Sequence, residues 1–371
     1  MSMNEEQNGG NIIPDIAPKP PRRRKLLKVL LIIIAIPFVL LLLVKAAFSI
    51  LSFVFPDSPP PDDSYLMLQT LNIPKEDNAF YDLERASSTL PQSGNNEFSS
   101  EVAVLLSGKT WDSEKSSSLI SPYATSMKYF NDASLRKFYQ VPSFERPENI
   151  SYPVVYPPTI PLRIILRAVA LDARTLYEEG KIVESVDRSF ELVRVGALME
   201  SSPQQSFLDY LIGMNAKRFG LERLSKIIAD AHVEKGIKER IARDVILYRD
   251  DGKGLVSGFK FEYVLNKSIR NNGQRVDTYN LRPNITSGYF MNNTDYLINR
   301  VHVPCSEFAS TSRKKFIDSG TPEWLAFIKV FVVPNGLGKI FFSVQDDAMD
   351  SLFKKRCDEE ATINTLSKFP D

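Results

Sequence analysis

The feature that most limits how this chain folds is an apolar repeat between residues 162 and 197. Leu162, Ile165, Leu166, Val169, Ala173, Leu176 and Tyr177 recur at i, i+3, i+4, i+7, i+11, i+14 and i+15, the spacing of one face of an α-helix. Gly180 follows, and Ile182, Val186, Phe190, Val193 and Ala197 resume the period. Two amphipathic helices joined by so short a turn pack antiparallel, as a helical hairpin. "QQSFLDYLIGMNAKRFGLERLSKIIAD" and a segment carrying Ile237, Ile241, Val245 and Tyr248 continue the pattern. The expected fold is mainly α: a multi-helix array of antiparallel hairpins over 162–371.

Upstream, "PKEDNAFYDLERASSTL" places acidic residues in a first turn and apolar ones at Ala79, Phe80, Leu83 and Leu90, predicting an amphipathic helix. A further helical stretch is expected from Trp111 to Tyr139, broken or kinked at Pro122. Six prolines between Pro142 and Pro161 predict an extended crossing over 141–161, which would separate a membrane-proximal helical region, 64–140, from the main domain. "DDGKGLVSGF", with Gly252, Gly254 and Gly258, reads as a loop. Around Asn335-Gly336, "FIKVFVVPNGLGKIFFSV" fits either a minor β-hairpin near 329–344 or a loop entering a buried helix from about Lys339.

The first 55 residues differ in kind. Residues 1–25 form a polar tail expected to be disordered and cytoplasmic. A cluster at Arg22, Arg23, Arg24, Lys25 and Lys28 precedes "VLLIIIAIPFVLLLLVKAAFSILSFVF", and about 20 apolar residues suffice to cross a bilayer. The expectation is an N-terminal transmembrane helix over 26–55, with Lys28 and Lys45 reaching the two interfaces. The positive-inside rule then leaves the N-terminus in the cytoplasm and the C-terminal domain extracytoplasmic, a single-pass cell-membrane protein whose first partner is the lipid bilayer. A cleaved signal peptide is the competing reading, but the run is too long and only Ala47-Phe48-Ser49 offers a cleavage site. "PDSPPPDD" at 56–63 would be a Pro-rich stalk.

The remaining composition excludes more than it selects. The 371 residues, 43% of them hydrophobic, suffice for a sizeable core, and a formal net charge of +1 gives no field for nucleic acid. Cys305 and Cys357 are the two cysteines. In an oxidising compartment a disulfide between them would close a 52-residue loop, contributing about 4 kcal/mol in the loop-entropy picture. Two buried free thiols are the alternative.

Two resemblances follow from motifs. Tyr177, Gly180, Ser185 and Phe190 are similar to one tetratricopeptide-type unit, although no second copy stands 34 residues away. From Lys75 to Cys357, the order of "EDNAFYDLERA", "LYEEGKIVESVDRSFELVRVGALME", "LRPNITSGYF" and "NGLGKIFFSVQDDAMDSLFKKRC" resembles uncharacterised bacterial single-pass membrane proteins of candidate-phylum and planctomycete-like genomes, with an extracytoplasmic helical domain. That resemblance implies no known activity and no catalytic residue. Its members often continue into a pseudopilin-like end, which implies a pilus or secretion accessory role as one alternative.

No motif calls for a catalytic, cofactor or metal site. His232 and His302 come without HExxH or a cysteine cluster. "SGKT" at 107–110 has Ala103 where a phosphate loop needs its first glycine. "SRKK" at 312–315 and "SLFK" at 351–354 fit Ser-x-x-Lys but lack SDN and KTG companions. Glu178, Glu179 and Glu184 offer carboxylates for a glycosidase, yet flank a turn where glutamates are ordinarily solvated. Arg282, Asn284 and Tyr289, in "RPNITSGYFMNNTDY", are candidate binding-surface residues or cap the next helix. The expected role is non-enzymatic: a binding or scaffold module for an envelope protein partner, with a cell-wall hydrolase as the alternative.

Overall fold

The computed structural model describes Ala35, Ile36, Val39 and Leu43, then residues 59–68, 71–91, 95–107, 111–142, 159–271, 283–308 and 336–368. It separates Met1–Pro56 from Asp57–Asp371. In the first unit, Ala35, Ile36, Val39 and Leu43 are helical and exposed.

The expected transmembrane helix is corrected here. Among the described residues no helix is long and apolar enough to cross a membrane, and the rest of 26–55 lies outside them. A span needs one predominantly apolar helix of about 20 residues that satisfies its own backbone, and the long described helices carry charged side chains along their length. An apolar composition alone does not establish that continuity.

The second unit is helical throughout its described residues, apart from turns and one isolated parallel bridge between Asn78 and Phe138. Helix α1 (Ala79–Ser88) starts where the Asn78 side chain accepts from the Phe80 backbone N–H. It is followed by α2 (Asn95–Ser107), then by α3 (Ser113–Ile120), which Asp112 caps through the Lys115 N–H. Pro122 sits in a single 3-10 turn, Ser121–Tyr123, that leads into α4 (Ala124–Ser134). The ring has no N–H to give a continuing helix, so the chain tightens and changes direction there.

Helices α5 (Thr159–Glu178) and α6 (Ile182–Ser201) form the hairpin that the repeat predicts. Gly180 adopts φ +77°, a left-handed conformation costly for residues with a Cβ. Gly180 N–H donates to Tyr177 O and Lys181 N–H to Leu176 O, the paired bonds of a Schellman ending. Besides the predicted stripe, α5 buries Ile164, Ala168, Leu171 and Thr175, because helices pack on more than one of its faces. One continuous core joins α1 to α5: Leu66, Phe80, Phe98, Phe130 and Tyr139 share it with Leu162 and Ile165.

Helix α7 (Phe207–Ala229) opens with a capping box in which Ser206 and Asp209 satisfy each other's backbone N–H. It lies against α6 along a seam of small residues. A Cβ on Gly196 would stand 2.6 Å from Gly213 O, and one on Gly220 would stand 2.5 Å from Ser189 O. Glycines at these positions let the two backbones touch.

Helices α8 (Lys235–Val245), α9 (Lys253–Asn271), α10 (Pro283–Val301) and α11 (Gly336–Ser367) complete the body. The expected glycine loop at 250–259 is mostly helix: Gly254 and Gly258 lie inside α9, and a Cβ on Gly254 would fall 1.6 Å from Glu200 O. These glycines serve close approach, which a sequence does not distinguish from a turn. The β-hairpin near 329–344 is likewise corrected. Gly336 opens α11, no strand occurs among the described residues, and 329–335 lie outside them. A short apolar run has no period that separates strand from helix. Here Met349, Leu352 and Phe353 extend it at i, i+3 and i+4, and all three are buried.

Two further clusters complete the interior. Val186, Phe190, Leu221, Leu224, Ile241 and Ile363 join α6, α7, α8 and the end of α11. Tyr210, Leu255, Phe259, Leu297 and Phe353 join α7, α9, α10 and α11. Helix α7 contributes to every cluster, so a polar side chain on its inner face is enclosed.

Candidate functional site

The polar centre of the domain gathers where α6 ends against α7. Glu200 is the penultimate residue of α6 and is 1% exposed; Lys217, on α7, is fully buried. Lys217 Nζ lies 2.5 Å from Glu200 Oε2 and 2.5 Å from Glu359 Oε1 on α11. The close seam makes this reach possible, since a Cβ on Gly196 would be 2.7 Å from Lys217 Cβ.

A second set of ionic bonds adjoins the first. Asp250 Oδ2 accepts from Tyr210 OH at 2.8 Å and from Arg356 Nε at 2.9 Å, while Oδ1 accepts from Gly252 N–H. Arg356 Nη1 also donates to Val301 O at 2.7 Å. Gly252, at φ +78°, leaves room for that guanidinium, which a Cβ would approach to 3.1 Å. The neighbouring Cys357 is bonded to Cys305, their Cα atoms 5.5 Å apart, so a covalent link holds α11 beside the end of α10.

Charge in this region does not cancel. Glu200, Asp250 and Glu359 face two cations, Lys217 and Arg356. Burial raises Glu200 well above the ordinary carboxyl range against the pull of Lys217, with Glu359 and Asp250 adding repulsion. Burial raises Glu359 as well. For Lys217, burial opposes the charge, but Glu200 and Glu359 outweigh it and hold the amine protonated. The two carboxyls therefore keep Lys217 charged, while burial works against the negative charge of the pair. Glu200 Oε1 has no hydrogen-bond partner among the described residues.

Of the cavities that meet the cluster, two carry most of its polar groups. One, of about 220 Å³, is lined by Arg136, Arg194, Glu200, Lys217, Arg249 and Asp250, with Ala197, Leu198, Leu247 and Tyr248 as apolar wall. Arg136 is committed to Asp82 at 2.6 Å and to Glu76 O at 2.7 Å. Arg194 and Arg249 have no carboxylate at ion-pair distance among the described residues: Arg194 Nε is buried without a partner, and Arg249 Nη2 donates to the neutral Asn364 amide oxygen. The other cavity, of about 510 Å³, runs past Asp251, His302, Cys305, Arg356 and Glu359.

The residues singled out from sequence lie elsewhere or contribute little. Arg282 is outside the described residues; Asn284 and Tyr289 belong to α10, where their side chains are not described, and Asn284 falls inside the first turn after Pro283. Glu178 pairs with Arg174 and Glu179 with Lys181, while Glu184 is exposed. Ser351 and Lys354 are exposed on α11, and 312–315 lie outside the described residues. His302 lines the larger cavity, whereas His232 is exposed and its backbone N–H is bound by Asp230. Among the described residues no group of three metal-ligating side chains comes together.

What the sequence reading missed had a signal. The stripe Val186, Phe190, Val193 and Ala197 continues to Glu200, and Tyr210, Met214, Leu221 and Leu224 carry Lys217 among them. A charge at a core position of an amphipathic helix marks a buried ionic site. No family model, curated protein or solved structure matches the chain.

Proposed function

We propose that the 57–371 domain is a binding module for an envelope component, working in an oxidising compartment outside the cytosol. The observation that carries this reading is the 220 Å³ cavity with its guanidiniums at Arg194 and Arg249, neither of them paired with a carboxylate among the described residues. Guanidiniums without a carboxylate partner, beside a polar floor, are groups left for a ligand. The Cys305–Cys357 bond supports the compartment, because disulfides persist where thiols are not kept reduced.

Both parts are testable in the native host with the full chain. Alkaline phosphatase fused after Asp371 folds to an active form only in an oxidising compartment, so activity there and none in a cytosolic control is expected. Crosslinking the chain in intact envelopes should recover a component whose yield falls when Arg194 and Arg249 are both changed to Gln. An inactive fusion would remove the compartment; recovery indifferent to both arginines would remove the binding role of the cavity.

A further inference from the structure

We infer that the 220 Å³ cavity takes a small zwitterion of the amino-acid class, with its carboxylate on Arg194 and Arg249 and its ammonium on Glu200. The inference rests on the binding role proposed above and adds the chemistry of the ligand. Three observations lead to it: two concern charge that the protein leaves open, and the third concerns size.

The floor is one cation short. Glu200, Asp250 and Glu359 have two cations within the cluster, Lys217 and Arg356, so one carboxyl is left without a counterion of its own. An ammonium arriving beside Glu200 supplies that missing counter-charge. Glu200 Oε1 is the free acceptor for it. That oxygen is sealed from bulk water, but the terminal carboxylate torsion of glutamate is broad and soft, so a modest rotation presents Oε1 to the cavity that Glu200 lines.

The wall has the opposite imbalance. Arg194 and Arg249 supply two guanidiniums without a carboxylate among the described residues, and the planar N–H fork matches a carboxylate better than a point cation does. A plain anion would answer the wall and leave the floor unpaired. A plain amine would do the reverse.

Size fits the same class. At about 30 Å³ for each water's share of liquid volume, 220 Å³ corresponds to roughly seven waters, room for a small amino acid and not for a folded partner. The side chain of such a ligand would meet Leu198, Leu247 and Tyr248.

The test is titration calorimetry of the purified full chain with each proteinogenic amino acid, with propionate and ethylamine as half-ligands. At least one amino acid is expected to bind more tightly than about 1 mM, and each half-ligand at least about tenfold more weakly. Glu200→Gln and Arg194→Gln are each expected to weaken binding by about tenfold or more, the scale of one lost charge-assisted hydrogen bond. Circular dichroism checks that each variant is folded; Arg194, on the half-exposed wall, carries the test alone if Glu200→Gln does not fold. No heat with any amino acid, propionate binding as tightly as the best amino acid, or a folded variant with unchanged affinity would each overturn the inference. Envelope capture that still depends on Arg194 and Arg249 after such a result would leave the binding role standing with a different ligand.

Discussion

Lys217 donates to Glu200 from the helix that follows it, at 2.5 Å and with both side chains closed to solvent. The contact lies where Gly196 and Gly213 bring α6 and α7 into backbone contact, so sterics and electrostatics converge on one crossing. Lys217→Met retains much of the volume but leaves Glu200 and Glu359 without their shared cation. Removing one partner of a buried pair strands the other, at a cost of about 3–5 kcal/mol. The expected result is an unfolding free energy lowered by that amount, read from the fall in the urea midpoint. Adding Glu200→Gln and Glu359→Gln to Lys217→Met should recover part of the loss, because the stranded carboxyls become neutral amides. A triple variant no more stable than Lys217→Met alone would show that the cost is one of packing.

The α5–α6 hairpin was legible because period and turn chemistry agree: the apolar stripe stops, Gly180 takes the left-handed position, and the stripe resumes. The kink at Pro122 was legible for the equally local reason of a missing N–H. Gly254 was misread because turn and close approach both select glycine, and only the position of Glu200 O separates them. The 336–344 stretch was ambiguous because its apolar run is too short to show a period. The site is not legible as a unit in the sequence. Its groups come from α6, α7, the 249–252 turn and α11, and no local pattern joins Glu200 to Glu359.

The small-residue seam makes a second prediction. A Cβ on Gly220 would meet Ser189 O at 2.5 Å and Val193 Cγ2 at 2.6 Å, and a backbone oxygen cannot move aside. Gly220→Ala should therefore destabilise the domain by about 1–3 kcal/mol, the range for overpacking. Gly236, exposed in the first turn of α8, has nothing within 4 Å, so Gly236→Ala should stabilise by up to about 1 kcal/mol through helix propensity. Opposite shifts of the thermal midpoint for one chemical change would separate close approach from propensity; equal shifts would refute the seam.

Reducing the Cys305–Cys357 bond reopens a loop of 52-residue separation, and the loop-entropy relation gives about 4 kcal/mol for that length. A lowered denaturation midpoint is expected on adding reductant and in the Cys305→Ser, Cys357→Ser double variant alike. Reductant should leave the double variant unchanged. Because Cys357 adjoins Arg356, which donates to Asp250 and to Val301 O, loss of the bond should also speed amide exchange at Gly252, whose N–H Asp250 holds. Unaltered stability in reductant would mean that the unfolded chain gains no freedom from reduction.

Asp209 gives the clearest pH dependence. It is fully buried, and burial pushes its carboxyl up to about 6, against the hydrogen bonds that Ser206 and Tyr139 donate to it. Its ordinary value is 3.8, so between about pH 4 and pH 6 the folded state holds a proton that the unfolded state has released. Stability from this group is thus fully present below the lower value, falls as pH rises through the window, and is level above it. The displacement amounts to about 3 kcal/mol. Burial also raises Glu262, to about 7, despite the hydrogen bond from the Phe207 backbone, which extends a slope of the same sign toward neutrality. Asp63 works in the opposite sense at lower pH, held below its ordinary value against its burial by Lys267 and Tyr263. Asp209→Asn keeps an acceptor for Tyr139 and removes the titration. Urea midpoints measured at half-unit steps should therefore fall less steeply between about pH 4 and pH 6 in the variant, while the share of the slope that Glu262 contributes from its ordinary value up to about 7 remains. An undiminished slope below pH 6 in Asp209→Asn would assign the proton to another group.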